Sequence, residues 1–296
     1  MLPGLVEVAA ADEGESLRCR VEVQGRHARG VFLIRLAKNR HTHINIARSL
    51  TEQRLYEPYT SLVALELLRP DDWCLDIGAH AGYYATLFSS LVGARGQVFA
   101  FEPNLETYLY LLDNVVTQAH PNIQALPVAL ADTIGQTTFY INLDNDGESA
   151  LWDVSQMERF AATHRAPTSQ PTSVLTLDRV FSRFASRPVR LVKMDAEGAE
   201  NLILTGASDF FERFTPDAVI CEINEGALTQ CGSDEMHIRS FFAERNYLTY
   251  VVNLLEHGEF DLCAGRPWRR LADGERVVTR AIYNLLFVRN GVVLPD

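Results

Sequence analysis

The sequence predicts an α/β fold of the doubly wound, Rossmann-like kind, with a mostly parallel sheet, helices on both faces and a small β appendage at the N-terminus. Residues 73–103 (WCLDIGAHAGYYATLFSSLVGARGQVFAFEP) read as strand, glycine-bearing turn, apolar helix and second strand, a βαβ unit of the nucleoside-binding type. Further apolar runs at 189–195 (VRLVKMD) and 217–222 (DAVICE) also end on carboxylates and alternate with helical patterns, as in sheets whose carboxyl ends face a ligand. Residues 1–55 have a different texture, with alternating runs at 17–23 and 30–36 that suggest two hairpin strands.

Along the chain, His41 and His43 have no further metal ligands clustered nearby and read as solvated loop residues. A helix is expected over 60–68, then the strand 73–77, the turn 78–82, a helix stopped at Gly93 and the strand 97–101. Asn104 is a good N-cap for a helix to 119, whose apolar stripe Leu105, Leu109, Leu112 and Val116 should face the core. A third strand at 123–128 leads to Asp132, where a polar side chain at a strand end can meet an adenine amino group. Residues 136–142 alternate like an exposed strand.

Residues 143–173 mix turn residues with one short helical patch, and so long a stretch between strands suggests a lid. Within it Ser149, Leu151 and Trp152 stand out, Trp152 as either a packing anchor or a substrate contact. Thr176 caps a helix, and a strand at 189–195 runs into Asp195, Glu197 and Glu200 at one strand-to-helix junction. Capping accounts for acids in a first helical turn, but Asp195 at a strand's carboxyl end is a ligand-site candidate. After the strand 217–222 with Glu222, Ser233 caps a helix carrying His237, and 247–252 and 281–288 are the last strands. Arg266, Arg269, Arg270, Arg276 and Arg280 form either a solvated face or an anionic-partner surface.

Composition narrows the partners. The net charge of −11 disfavours nucleic acid, whose binders concentrate Lys and Arg. The five cysteines lack C-x-x-C spacing, so neither a disulfide framework nor a zinc site is suggested, and no metal is expected. The N-terminal stretch has no basic start, and no apolar run approaches membrane-spanning length, so a membrane partner is not expected and the cytoplasm is the default location.

The turn specifies the cofactor class. Glu102 follows the last turn glycine by about 20 residues, the spacing at which a strand-two carboxylate reaches ribose hydroxyls. The turn Asp76-Ile-Gly78-Ala-His80-Ala-Gly82 lacks the middle glycine that lets backbone amides close on a pyrophosphate. Asp76 would repel a phosphate but accept a hydrogen bond from an ammonium. S-adenosylmethionine offers the ammonium, the ribose and the adenine without a phosphate.

The residues CLDIGAHAGYYA, VFAFEPN, VALAD, TLDRVF, LVKMDAEGAENLILTGA and AVICEIN, in this order, resemble the FkbM family of S-adenosylmethionine-dependent methyltransferases. The resemblance covers about residues 55–290. It implies a class I methyltransferase sheet, seven-stranded in the order 3-2-1-4-5-7-6 with strand seven antiparallel. It also implies O-methylation of a hydroxyl on a sugar or natural-product acceptor. It places Asp76, Gly78, Ala79, His80, Gly82 and Tyr83 in the cofactor loop, Glu102 and Pro103 after strand two, and Asp132 after strand three. His80 stands where the family usually has Asn, and both can donate a hydrogen bond near the cofactor carboxylate. The expected organisation is a β-rich appendage over 1–55 and a methyltransferase domain over 56–296. The expected partner is a small-molecule or carrier-bound hydroxyl acceptor, with a homodimer as one role for the appendage.

Methyl transfer from a sulfonium is an in-line displacement, so positioning can supply about 7 to 11 kcal/mol of the barrier. An alcohol must also lose a proton, and a general base adds about 10²- to 10⁴-fold. Asp195, Glu197, Glu200, Glu222 and His237 are the candidate bases, the strand-four acids being favoured. Strand alternation puts Lys193 on the same face as Asp195. Three other readings stay open: a nicotinamide-dependent oxidoreductase, which wants the missing glycine; a noncatalytic methyltransferase-like subunit; and N-methylation, which looks the same from sequence.

Overall fold

The structure is a computed structural model and describes residues 4–156, 165–254, 261–263, 266–277, 279 and 282–294. The chain opens with an antiparallel sheet of β1 (Leu5–Asp12), β2 (Ser16–Gln24) and β3 (Arg29–Ala37). The two hairpin strands lie where alternation put them. The added β1 has an alanine-rich tail that carries no alternating signal. Residues 41–51 are not a loop: they form α1 (His41–Thr51), which buries His43, Ile46 and Leu50.

The N-terminal sheet belongs to the main core. Val21, Val23, Phe32, Ile34 and Leu36 are fully buried in one cluster with the helix after the glycine turn. At about 1.5–3 kcal/mol for each large apolar side chain, their gross burial is comparable to a whole domain's net stability. Residues 5–36 thus share one core with the helix after the glycine turn.

From α2 (Pro58–Leu67) the chain enters the main sheet. Its elements are β4 (Trp73–Ile77), α3 (Tyr83–Val92), β5 (Gln97–Phe101), α4 (Leu105–Val116) and β6 (Ile123–Leu126). A small second sheet follows, made of β7 (Ala129–Leu130), β8 (Gly135–Ile141) and β9 (Thr168–Leu175). The chain continues through α5 (Leu177–Phe181), β10 (Leu191–Met194), α6 (Glu200–Thr205), α7 (Ser208–Phe214) and β11 (Ala218–Ile223). It ends through α8 (Glu225–Gln230), α9 (Glu235–Ala243), β12 (Tyr247–Val252), β13 (Trp268–Arg270) and β14 (Tyr283–Arg289).

The main sheet has the order β6-β5-β4-β10-β11-β14-β12-β13, with β14 antiparallel to β11 and β12. This is the 3-2-1-4-5-7-6 arrangement with one extra short edge strand, β13. Helices cover both faces, and α3 lies between the main sheet and β3. Among the described residues no helix is long and apolar enough to cross a membrane.

Two expectations need correction. The stripe Leu105, Leu109 and Val116 on α4 does not face the core: these residues are 56%, 59% and 76% exposed. The helix instead turns Thr107, Leu111 and Asn114 inward, because β3 is a sheet edge whose backbone groups need partners. Asn114 supplies them, accepting from Arg35 N at 2.6 Å and donating to Arg35 O at 3.1 Å and Ala81 O at 2.8 Å. Gln118 does the same for Leu33. Within 143–173, residues 168–173 are part of β9 rather than a lid. The expected helical patch falls largely on 157–164, and with Arg280 and Ala281 those residues lie outside the described ones.

Candidate active site

A cavity of about 240 Å³ opens over the carboxyl ends of β4, β5, β10 and β11. Its floor is the turn after β4. Gly78 takes φ 77°, and a side chain there would collide with the carbonyl oxygen of Asp195, so only glycine lets the turn and the end of β10 approach so closely. Gly78 N and Ala79 N donate to Phe101 O at 3.0 and 2.9 Å, tying the turn to β5. His80 sits at φ 50°, a left-handed conformation in which Asn and His are enriched over other non-glycine residues. That backbone requirement is one reason His can stand where Asn is usual.

Glu102 lies at the end of β5, 5% exposed, and lines the cavity. Its two carboxylate oxygens accept from His80 N at 2.9 Å and Asn104 N at 2.8 Å. Burial raises its pKa, with His80 and the two backbone donors opposing. Each oxygen retains lone-pair capacity for a ligand hydroxyl.

The far end of the cavity is acidic. Strand alternation puts Cys74, Asp76, Leu191 and Lys193 toward the α2–α3 side, and the parallel register sets Lys193 beside Asp76. Lys193, 3% exposed, donates to Asp195 Oδ2 at 2.7 Å and lies 4.7 Å from the Tyr84 ring centroid. Burial opposes its charge, but Asp195, Glu57 and Asp76 outweigh it and raise its pKa. Glu57, in a left-handed conformation just before Pro58 of α2, accepts from Tyr84 OH at 2.7 Å. Glu197 (φ 47°) accepts from Asn224 Nδ2 at 3.2 Å. Burial, then repulsion from Asp195, pushes the carboxyl groups of Glu197 and Glu222 well above the ordinary range. Three of the seven described non-glycine residues with positive φ, Glu57, His80 and Glu197, line this one cavity. Such strain concentrates where backbone must aim a functional group.

The expected site residues divide. Gly78, Ala79, His80, Tyr83, Glu102, Pro103, Asp195, Glu197 and Glu222 line the cavity. Asp76 does not: it is 1% exposed beneath the turn, and burial raises its pKa to about 7. A direct hydrogen bond to a ligand ammonium is therefore not its arrangement here. Gly82 stands behind the wall as the N-cap of α3, against Leu111. Asp132 is exposed and off the cavity, which β7 and Val128 reach instead, because the chain bends away into the second sheet. Glu200 is 1% exposed and accepts from Ala196 N at 2.8 Å, a cap for its own turn outside the cavity. His237 points outward from α9 and pairs with Asp234. None of the described arginines of the Arg-rich stretch reaches the cavity. Trp152 is 8% exposed and donates to Glu197 O at 2.8 Å, a packing anchor, while Ser149 and Leu151 line the cavity.

Sequence reading missed Glu57, Tyr84, Asp146 and the α1 residues His41, Thr42, Asn45 and Ile46, all of which line the cavity. They are brought there by tertiary packing, which leaves no local motif. The Asp-Gly pair at 146–147 was visible only as a turn signal.

The family model described as the methyltransferase FkbM domain matches residues 76–249, more than half of the chain, running from within β4 to within β12. The chain belongs to the FkbM methyltransferase family. A curated relative, the hexuronic acid methyltransferase AglP of Haloferax volcanii, is 25% identical over 201 residues, 66% of this chain and 72% of AglP. Among solved structures, an FkbM methyltransferase from Methylobacillus flagellatus is 14% identical, covering 83% of this chain and 59% of that one, with a TM-score of 0.43. Aeropyrum pernix fibrillarin, solved with natively bound S-adenosylmethionine, is 14% identical, covering 96% and 98%, with a TM-score of 0.42.

As an FkbM methyltransferase, the chain uses S-adenosylmethionine. The cavity fits that group on its own chemistry. The glycine turn leaves room against β10, and Glu102 offers buried acceptor capacity of the kind ribose hydroxyls need. Val128, Ala129 and Leu130 give an apolar wall suited to a purine face.

Proposed function

We propose that this FkbM methyltransferase methylates a hydroxyl oxygen of a sugar or natural-product acceptor, free or carrier-bound. The observation that carries the reading is the acid-and-lysine end of the cavity, where the Lys193 ammonium lies at hydrogen-bond distance, 2.7 Å, from the Asp195 carboxylate. Glu102 and the turn 78–83 would hold the cofactor, which supplies the electrophilic methyl group when bound. Asp195 takes the proton of the acceptor hydroxyl, and Lys193 steadies the carboxylate that does so. Glu197 and Glu222, whose carboxyl groups burial pushes well above the ordinary range, donate hydrogen bonds to neighbouring acceptor hydroxyls instead of serving as bases. Trp152, on the carbonyl of Glu197, and the cavity-lining residues 145–149 close this end against water. The name of the relative AglP supports the sugar class.

The test is methylation of candidate polyols and glycosides with S-adenosylmethionine, the products located by mass spectrometry and NMR. Transfer to an oxygen supports the reading. Transfer to a nitrogen overturns it in favour of N-methylation, which the same acidic pocket would accommodate through an amine.

A further inference from the structure

Three separated parts of the chain meet beside the cofactor turn. His43 of α1 is fully buried, and its Nδ1 accepts from Ala37 N at 2.9 Å. With that lone pair engaged, the neutral ring carries its proton on Nε2. Burial keeps the ring neutral, moving its pKa down to about 3. Nε2 is buried and has no hydrogen-bond partner. Asp146 is 7% exposed; its Oδ1 accepts from Thr42 N at 3.0 Å, and its Oδ2, also without a hydrogen-bond partner, lies 3.3 Å from His80 Nε2. The His43 and His80 rings meet edge-on at 5.2 Å, with Tyr110 on His43 at 4.9 Å.

One ligand atom from each of His43, His80 and Asp146 lies within 4.8 Å of the others, a spacing that a metal ion can bridge. The protonation argues against it. A ligating nitrogen needs a free lone pair, and the amide of Ala37 engages the Nδ1 lone pair of His43 and leaves the proton on Nε2. The neutral His43 ring, the Asp146 carboxylate and the His80 ring, set within 4.8 Å of one another, can instead act as a relay. Of the lining side chains that can carry positive charge, Lys193 is engaged by Asp195 and His41 is exposed, which leaves His80 beside the turn.

We propose that His43 and Asp146 are positioning residues that hold His80 as a cation on the cavity wall, where it pairs with the carboxylate of the cofactor's amino-acid end. The proposal rests on the S-adenosylmethionine reading of the cavity. The groups facing His80 are Asp146, Glu102 and Asp195, with His43 neutral on the α1 side. Burial opposes the imidazolium, but Asp146 outweighs it and raises the pKa of His80. The cation thus persists above the ordinary value and is lost as pH rises through the raised one. This relay joins residues outside the matched family region, on α1, to the cofactor turn.

Two measurements on the full chain test it. The first is an NMR titration of the His80 imidazole without cofactor. Asp146→Asn should lower the midpoint by at least about one pH unit, as for loss of an opposite charge at close range. His43→Asn, which keeps an acceptor for Ala37 N but removes the donor toward Asp146, should lower it by less. An unchanged midpoint in Asp146→Asn overturns the relay. The second is calorimetry of S-adenosylhomocysteine and its decarboxylated analogue across pH. Only the carboxylate-bearing ligand should weaken as pH rises through the His80 midpoint, and His80→Asn, whose backbone tolerates positive φ, should abolish that difference. The same pH dependence for both ligands overturns the carboxylate pairing. Failure of S-adenosylhomocysteine to bind at any pH overturns the cofactor reading itself, which the titration distinguishes from failure of the relay.

Discussion

Replacing Glu102 with alanine removes more than a ligand contact. The two oxygens of Glu102 hold His80 N and Asn104 N, so the carboxylate braces the turn while keeping acceptor capacity for two ribose hydroxyls. Hydrogen bonds to a charged acceptor contribute about 1.5–3 kcal/mol each, so two to the ribose amount to about 3–6 kcal/mol. At 1.4 kcal/mol per tenfold, that is a loss of about 10²- to 10⁴-fold in affinity. Glu102→Gln keeps one acceptor oxygen but turns an amide N–H₂ toward a backbone N–H, so it too should bind at least tenfold more weakly. Calorimetry with S-adenosylhomocysteine measures the affinity, and thermal melting of the same samples shows that the fold survives. Affinity within about threefold of wild type in both folded variants would refute the assignment of Glu102 to the ribose.

The remaining expectations follow from the same groups. Asp195→Asn should lower kcat at least about 10²-fold with cofactor affinity within threefold, whereas Glu197→Gln should stay within about threefold because burial pushes that carboxyl group well above the ordinary range. Steady-state kinetics that rank Glu197→Gln as the more damaging variant would reassign the base. Asp76, raised to about 7, stabilises the fold fully below the ordinary carboxylate range and loses that contribution as pH rises through about 7. The change is about 4 kcal/mol at one pKa unit per 1.36 kcal/mol. Melting temperature of the cofactor-free protein should therefore fall between about pH 4 and 7, and Asp76→Asn should flatten the fall; a rising profile would contradict it. The segment between β8 and β9, whose residues 145–149 and Leu151 line the cavity, should be cleaved more slowly by protease once S-adenosylhomocysteine and acceptor are bound. Equal rates would remove its role as a lid.

The strand–turn–strand unit was legible because each of its steps leaves a local trace. β4 and β5 are apolar runs bounded by turn residues, and Gly78 is demanded by backbone geometry. The lysine–aspartate pair at 193 and 195 followed from the two-residue period of a strand. The α4 stripe was misread because periodicity measures amphipathicity, not which face is covered. A polar Asn114 that stitches an edge strand outweighed three leucine and valine side chains. Glu57 and Asp146 were invisible because nothing local marks them. One hangs over the strand ends because α2 packs on α3, the other because its carboxylate meets the backbone of α1. Glu200 and His237 looked chemical in one dimension and are a cap and a surface residue in three.

The most direct test of hydroxyl methylation at this acidic pocket is to locate the transferred methyl group. Purified protein, S-adenosylmethionine and a set of neutral glycosides and polyols are incubated, and the product is resolved by mass spectrometry and NMR. The predicted result is a mass gain of one methylene carried on a hydroxyl oxygen, reduced at least about 10²-fold in Asp195→Asn. A methyl group on nitrogen, or tight S-adenosylhomocysteine binding with no transfer to any hydroxyl acceptor, would contradict it.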